Sequence, residues 1–340
     1  MSKPKVWYIQ PEGHTRQVFR PEHFQRMLDE FDVTVNPEPR NLPVEELAAG
    51  IAGYDAMVTG WGAPMLTDGF FENADKLQII AHSAGSVKAF LTQELVARYM
   101  LPRNIACYGS NLAIAYNVAE SAVGMILMTS RLWPHFIDNF RETGTWRPDT
   151  IRWNGRYLLG SKVGIVSASA VGRHVIRLLQ PWDLDILIYD PYLSDDEAAR
   201  LNVTKVSLED LFAQSDHVTV HAPSIPATDK MIGAKHLKLM KDGATLVNTS
   251  RGSVIDHDAL LAECRLGRIY VCLDVTTPEP LPEDSPFREL SNVYITPHIS
   301  GCGHYGYFKI GEMTVQALID FFAGRPVRGQ VDLGRFELLA

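Results

Sequence analysis

From residue 161 onward the sequence keeps one rhythm that few folds accept. Short apolar runs at 162–166, 185–189, 217–220, 244–248, 270–275 and 293–296 alternate with helical patterns. Such alternation predicts a parallel sheet, because each helix must carry the chain back to the same edge. Six strands of this kind match a doubly wound nucleotide-binding domain. The rhythm also runs through the first third. Strands are expected at 5–9, 33–36, 56–59, 77–81 and 105–108, with helices over 21–31 and 44–50. The fold class is therefore α/β, with two parallel-sheet domains. A helix is expected over 117–132, with Asn117 as N-cap and Glu120 in capping-box position. A surface connector follows over 142–160, and the last helix covers about 310–322.

Composition narrows the function classes. The chain has 340 residues, 32 Lys plus Arg and 40 Asp plus Glu, for a formal charge of −8. An acidic balance argues against a general nucleic-acid or anionic-membrane binder. Cys107, Cys264, Cys272 and Cys302 form no CxxC and no metal-like pairing with histidine. They are expected to be reduced, and no metal is expected. The start, MSKPKVWYIQ, has no h-region of a signal peptide. The apolar stretch 118–128 contains Glu120 and falls short of the roughly 20 residues of a membrane span. A soluble cytoplasmic protein is the expectation.

The first chemical signal is VGIVSASAVGRHVIRLL followed by LDILIYDPY. Strand, tight turn, helix and a second strand ending in an acid form the dinucleotide-binding arrangement. The three glycine positions of that motif read Ser167, Ser169 and Gly172 here. Serine is small and can donate to a phosphate oxygen, but at the first position it is expected to avoid positive φ. The helix N-terminus at Ala170 and Val171 still offers free amides to a pyrophosphate. Asp190 ends the next strand, where an acid accepts from a ribose diol and repels a 2′-phosphate. NAD is therefore expected over NADP.

The second signal joins three separated residues. Arg251 follows the strand ATLVN, Glu279 follows YVCLDV, and His298 follows VYIT. Each lies past the carboxyl end of an expected strand, on the edge where open α/β folds bind ligands. Histidine exchanges protons near neutral pH. A carboxylate beside it fixes its tautomer, and arginine offers a planar fork to a substrate carboxylate. Asp274 ends an apolar strand. It is either a cap for a neighbouring loop or an acceptor for the cofactor's carboxamide.

These stretches give the chain a resemblance to the D-isomer-specific 2-hydroxyacid dehydrogenase family. They are VAESAVGMIL, VGIVSASAVGR, YDPY, SDHVTVHAPSIPAT, LMKDGATLVNTSRGSVIDHDAL and LDVTTPEPLPEDSPFRELSNVYITPHISG. The first third resembles the family more loosely, through AHSAGSVKAF. The resemblance implies an NAD-dependent oxidoreductase that interconverts a 2-oxo acid and a D-2-hydroxy acid. Arg251 would bind the substrate carboxylate, His298 would be the acid/base, and Glu279 its partner. Gly85 and Ser86 would bind the carboxylate through their amides. Ser169, Ala170 and Val171 would meet the pyrophosphate, and Asp190 the adenosine ribose. His221, Ala222 and Pro223 would line the nicotinamide ribose. Asp274 would face the carboxamide, with Thr249, Ser250 and Gly301 completing the cofactor set.

The family also implies an inserted architecture. A flavodoxin-like substrate domain would comprise residues 1–117 and 302–340, and a Rossmann NAD-binding domain residues 118–301. The helix near 117–132 is where family members form homodimers, although its apolar run would read the same in an intramolecular core. Trp61, His304 and Tyr305 lie near the loops that would enclose the cleft, and each is either a packing residue or part of its border. Lys88 stands where the family has an aspartate. It is either a solvated lysine or a second cation for a larger anionic substrate. The altered glycine turn keeps one competing reading open, a non-catalytic NAD(H)-sensing protein on the same scaffold. The intact Arg251, Glu279 and His298 argue against it. A hydrolase lacks a recognisable nucleophile.

Overall fold

The computed structural model describes residues 2–146, 157–301 and 303–339, without the side chains of His304 and Tyr305. Cys302 and most of the expected connector thus lie outside the described residues. The chain divides into two compact units, 1–114 with 302–340, and 115–301. The division falls three residues before the expected boundary.

The first unit is built on five parallel strands: β1 (Lys5–Tyr8), β2 (Asp32–Val35), β3 (Ala56–Thr59), β4 (Ile79–His82) and β5 (Ala106–Gly109). Their order is β2-β1-β3-β4-β5. Neighbouring residues along a strand point to opposite faces, and both faces are apolar. Met57 and Ile80 enter one cluster with Leu47, Phe70 and Phe90. Val58, Ile79 and Ala81 enter the other with Ile310 and Leu318. Burial on both sides is what continuous apolar strands require.

The second unit carries seven strands: β6 (Lys162–Val166), β7 (Asp185–Tyr189), β8 (Thr204–Lys205), β9 (His217–Val220), β10 (Thr245–Asn248), β11 (Tyr270–Leu273) and β12 (Val293–Ile295). They lie parallel in the order β12-β11-β10-β9-β6-β7-β8. Leu246 and Val271 pack on one face, Val247 and Cys272 on the other. The two-residue edge strand β8 was missed, since Thr204 and Lys205 are both exposed and carry no apolar signal.

Two helices start earlier than expected. The helix expected at Asn117 runs Asn111–Ser130, so Asn117 is not its N-cap. Instead the Asn117 side chain donates to the Gly301 carbonyl at 3.2 Å. This 20-residue helix is long and apolar enough, by length and composition, to cross a membrane, which corrects the shorter run read from the sequence. Nearly half of its most apolar window is buried within the protein. The last helix covers His304–Phe322. Cys107, Cys264 and Cys272 are free and buried, and burial pushes each thiol up to about 12. Such thiols are poor nucleophiles near neutral pH.

Candidate active site and cofactor edge

The register of the second sheet aligns the site residues. Val166, Val220, Asn248, Leu273 and Ile295 are paired in one row across β6, β9, β10, β11 and β12, with Tyr189 of β7 paired to Val166. The next residue on each strand is Ser167, His221, Thr249, Asp274, Thr296 and Asp190. Four members of the expected cofactor set, Asp190, His221, Thr249 and Asp274, therefore fall on one edge.

The turn after β6 departs from expectation. Ser167 adopts φ +81°, the left-handed conformation that a side chain disfavours. Asp190 holds it there. One carboxylate oxygen accepts from Ser167 Oγ at 3.2 Å and from the Ala168 amide at 2.8 Å. The other accepts from the Tyr192 amide at 2.8 Å. Ser169 caps the helix Ala170–Leu179, accepting from the Gly172 amide at 3.3 Å. Gly172 is sterically required, because a Cβ there would lie 2.1 Å from the Ser167 carbonyl oxygen.

Further along the edge, polar atoms are buried without partners. His221 Nε2 meets Thr219 Oγ1 at 3.0 Å, but its Nδ1 has none, and neither has Thr249 Oγ1. Burial lowers His221 to about 3, so the ring is neutral. A tight glycine-bounded turn, a helix N-terminus and orphaned polar atoms on one edge fit a dinucleotide. Among the described residues, no cluster of His, Cys, Asp or Glu could hold a metal.

His298 and Glu279 are brought together. His298 Nδ1 lies 2.5 Å from Glu279 Oε1, and both side chains are partly exposed. A carboxylate can only accept, so Nδ1 carries the proton and Nε2 is left to address a ligand. His298 itself has φ +53°. Its amide donates to the Asp274 carbonyl at 2.9 Å. The buried Asp274 carboxylate accepts from Thr296 Oγ1 at 2.5 Å and from the Ile299 and Ser300 amides at 2.9 Å each. These bonds make Asp274 a cap for the loop that carries His298.

Arg251 is placed by Asn248. The Asn248 amide group donates to the Arg251 carbonyl and accepts from the Ser250 amide and hydroxyl, all at 2.9 to 3.0 Å. Gly252 then lets this turn touch the loop after β11, since a Cβ would meet the Thr276 carbonyl oxygen at 2.1 Å. That loop, which carries Glu279, is tied by His257, whose Nε2 accepts from the Thr277 amide at 3.2 Å. Sequence reasoning missed Asn248, His257 and Thr296 as supports. Only the three-dimensional bonds reveal them.

Ala222 is buried, and the Pro223 carbonyl accepts from Thr228 Oγ1 at 2.5 Å. In the first unit, Gly85 and Ser86 form the loop after β4, and Ser86 caps the short turn Val87–Ala89. Lys88 matches neither of its expected readings. Its ammonium donates to the Glu337 and Leu339 carbonyls at 3.2 and 2.5 Å. Trp61 is partly exposed, with ring contacts to His14 and Tyr307.

Residues 123–300 match the family described as D-isomer-specific 2-hydroxyacid dehydrogenase, NAD-binding domain. The chain is 30% identical over 335 residues to a glyoxylate reductase of Pyrococcus horikoshii, covering 95% of this chain and 94% of that protein. It is 31% identical over 294 residues to a D-3-phosphoglycerate dehydrogenase of Archaeoglobus fulgidus. That match covers 86% of this chain, which spans only about half (54%) of the Archaeoglobus protein. The fold is also that of a phosphoglycerate oxidoreductase from Rhizobium etli, with a TM-score of 0.82 at 22% identity over 98% of this chain and 99% of the other. The chain belongs to the D-isomer-specific 2-hydroxyacid dehydrogenase family, whose members are NAD-dependent oxidoreductases.

Proposed function

We propose that this protein reduces a small 2-oxo acid to the D-2-hydroxy acid with NADH, and runs the reverse reaction with NAD. The observation that carries the reading is the His298–Glu279 pair at 2.5 Å on the carboxyl edge of the NAD-binding sheet. Bound NADH supplies the hydride to the oxo carbon. The remaining steps fall to the chain. Arg251 receives the substrate carboxylate on its fork and polarises the carbonyl. Gly85 and Ser86 add backbone amides to the carboxylate. His298 delivers a proton from Nε2 to the forming alkoxide. Glu279 keeps the proton of Nδ1 in place and stabilises the ring while it is charged.

The cofactor roles follow the same edge. Ser169, Ala170 and Val171 meet the pyrophosphate, and Asp190 the ribose diol. His221, Ala222, Pro223, Thr249 and Ser250 line the nicotinamide side. The Asp274 carboxylate keeps unused acceptor capacity for the carboxamide, and Gly301 closes the set. Fluorescence titration with NADH and NADPH tests this assignment. NADH is expected to bind in the micromolar range and NADPH at least about tenfold more weakly, the weight of one charge repulsion of roughly 1.4 kcal/mol. Equal affinity for the two would remove Asp190 as the selector. A non-catalytic NAD(H) sensor has no observation in its favour.

The reading extends to a cytoplasmic homodimer formed through the helix near 117–132, with no nucleic-acid or membrane partner. Trp133, Ile137 and Phe140, on the following helix Trp133–Thr143, are about half exposed, which is unusual for large apolar side chains and supports a covered face. Sedimentation equilibrium is expected to give twice the chain mass of 38.0 kDa. A monomer at micromolar concentration would end the dimer proposal.

A further inference from the structure

Lys88 links two stretches of the first unit about 250 residues apart in sequence. On one side is the loop 84–88, whose Gly85 and Ser86 precede the short turn Val87–Ala89. Ser86 Oγ accepts from the Lys88 amide at 3.3 Å, so the loop closes on the residue that reaches outward. On the other side is the short helical stretch Leu333–Leu338, kinked at Arg335 and closed by the Leu339 amide, which donates to the Phe336 carbonyl at 3.2 Å. The half-buried Lys88 ammonium donates to two carbonyls at this end, those of Glu337 and Leu339.

The same two stretches are clamped from a third side by β5. The Val331 amide donates to the Cys107 carbonyl at 2.8 Å, and Gln330 bridges Tyr108. The Ser110 amide donates to the Ala84 carbonyl at 3.1 Å. Gly109 lies between them. A Cβ there would be 3.3 Å from Val87 and 3.4 Å from Val331. Leu333 and Phe336 enter the same apolar cluster as Val87, Phe90 and Leu91. The 84–88 loop is thus packed, hydrogen-bonded and charge-tied to residues 330–339.

We infer that Lys88 is a positioning residue. By tying the 333–339 segment to the 84–88 loop, it fixes the Gly85 and Ser86 amides in the geometry that receives the substrate carboxylate. This rests on the activity proposed above. Lys88 touches neither substrate nor cofactor in this role, so its removal loosens the receiver without altering the proton or hydride steps.

The test compares Lys88→Met and Lys88→Arg in the full chain. For Lys88→Met, KM for the 2-oxo acid is expected to rise about tenfold, the weight of roughly one charge-assisted hydrogen bond. The turnover number stays within about twofold, because only ground-state and transition-state binding in common is lost. NADH affinity stays unchanged, and Lys88→Arg, which can still reach the carbonyls, recovers most of the KM. In deuterium exchange, peptides covering 84–91 and 331–339 are expected to speed up together in Lys88→Met. An unchanged KM, or faster exchange in 331–339 alone, overturns the inference. If the wild type turns over no 2-oxo acid, the proposed activity falls, and with it the carboxylate role. The exchange result still decides whether Lys88 couples the two segments.

Discussion

His298→Ala is expected to lower the turnover number by about 10²–10⁴, the usual contribution of a positioned acid/base. NADH affinity is expected to stay the same, because among the described residues the His298 ring is hydrogen-bonded to Glu279 alone. The backbone of the loop is held independently, by Asp274 through the His298, Ile299 and Ser300 amides. The substitution therefore removes a proton carrier and leaves its support standing. Glu279→Gln gives a second reading of the same pair. A glutamine can turn its amide N–H toward Nδ1, which selects the tautomer with the proton on Nε2. Turnover should fall by roughly 10²-fold or more, with the pH profile of kcat displaced. Stopped-flow reduction of a 2-oxo acid, with NADH binding followed separately, checks both. Loss of NADH binding together with turnover would mark His298 as structural, and turnover unaffected by either change would end the acid/base assignment.

The second large effect is a loss of stability in mild acid. Burial holds His14 at about 4, and His82 and His221 at about 3, against an ordinary value of 6.5. His82 is further lowered by the charge that would form on His14. In each case the folded protein keeps the ring neutral, while the unfolded chain binds a proton below about pH 6.5. The unfolded state therefore holds more protons, and unfolding becomes easier as pH falls. The stabilisation is fully present above about pH 6.5 and is lost progressively toward the folded values near 3 to 4. Each unit of pH in that window costs up to about 1.4 kcal/mol per histidine. By pH 5 the loss is about 2 kcal/mol for each of the three. Urea unfolding at pH 7 and pH 5 measures this, and His82→Leu should flatten the slope, to which His236 and His257, also lowered by burial, contribute in the same direction. Equal midpoints at the two pH values would show that these rings are not buried neutral in solution.

The strands, the tight turn after β6 and the strand-end positions of Arg251, Glu279 and His298 were legible because local chemistry writes them into the chain. Apolar runs of fixed length, broken by helical patterns, leave few architectures open. That these polar residues share one edge follows from the way parallel sheets gather their strand ends. The boundaries were less legible. The helix expected to begin at Asn117 starts at Asn111, since the polar Asn117 finds the Gly301 carbonyl and needs no capping role. The edge strand β8 has no apolar face to announce it.

What the sequence by itself determined is which kinds of residue stand at which strand ends, and so the family and its cofactor. What only the tertiary structure decided is how those residues are held. Ser167 was expected to avoid the left-handed conformation and yet adopts it, because Asp190, a strand away, accepts from its hydroxyl and from the next amide. Asp274 caps the His298 loop, His257 anchors the Glu279 loop, and Lys88 reaches a segment some 250 residues distant. Each of these bonds joins residues far apart in the chain. Such pairs leave no spacing or periodicity behind, because their geometry exists only once the sheets have brought the partners together.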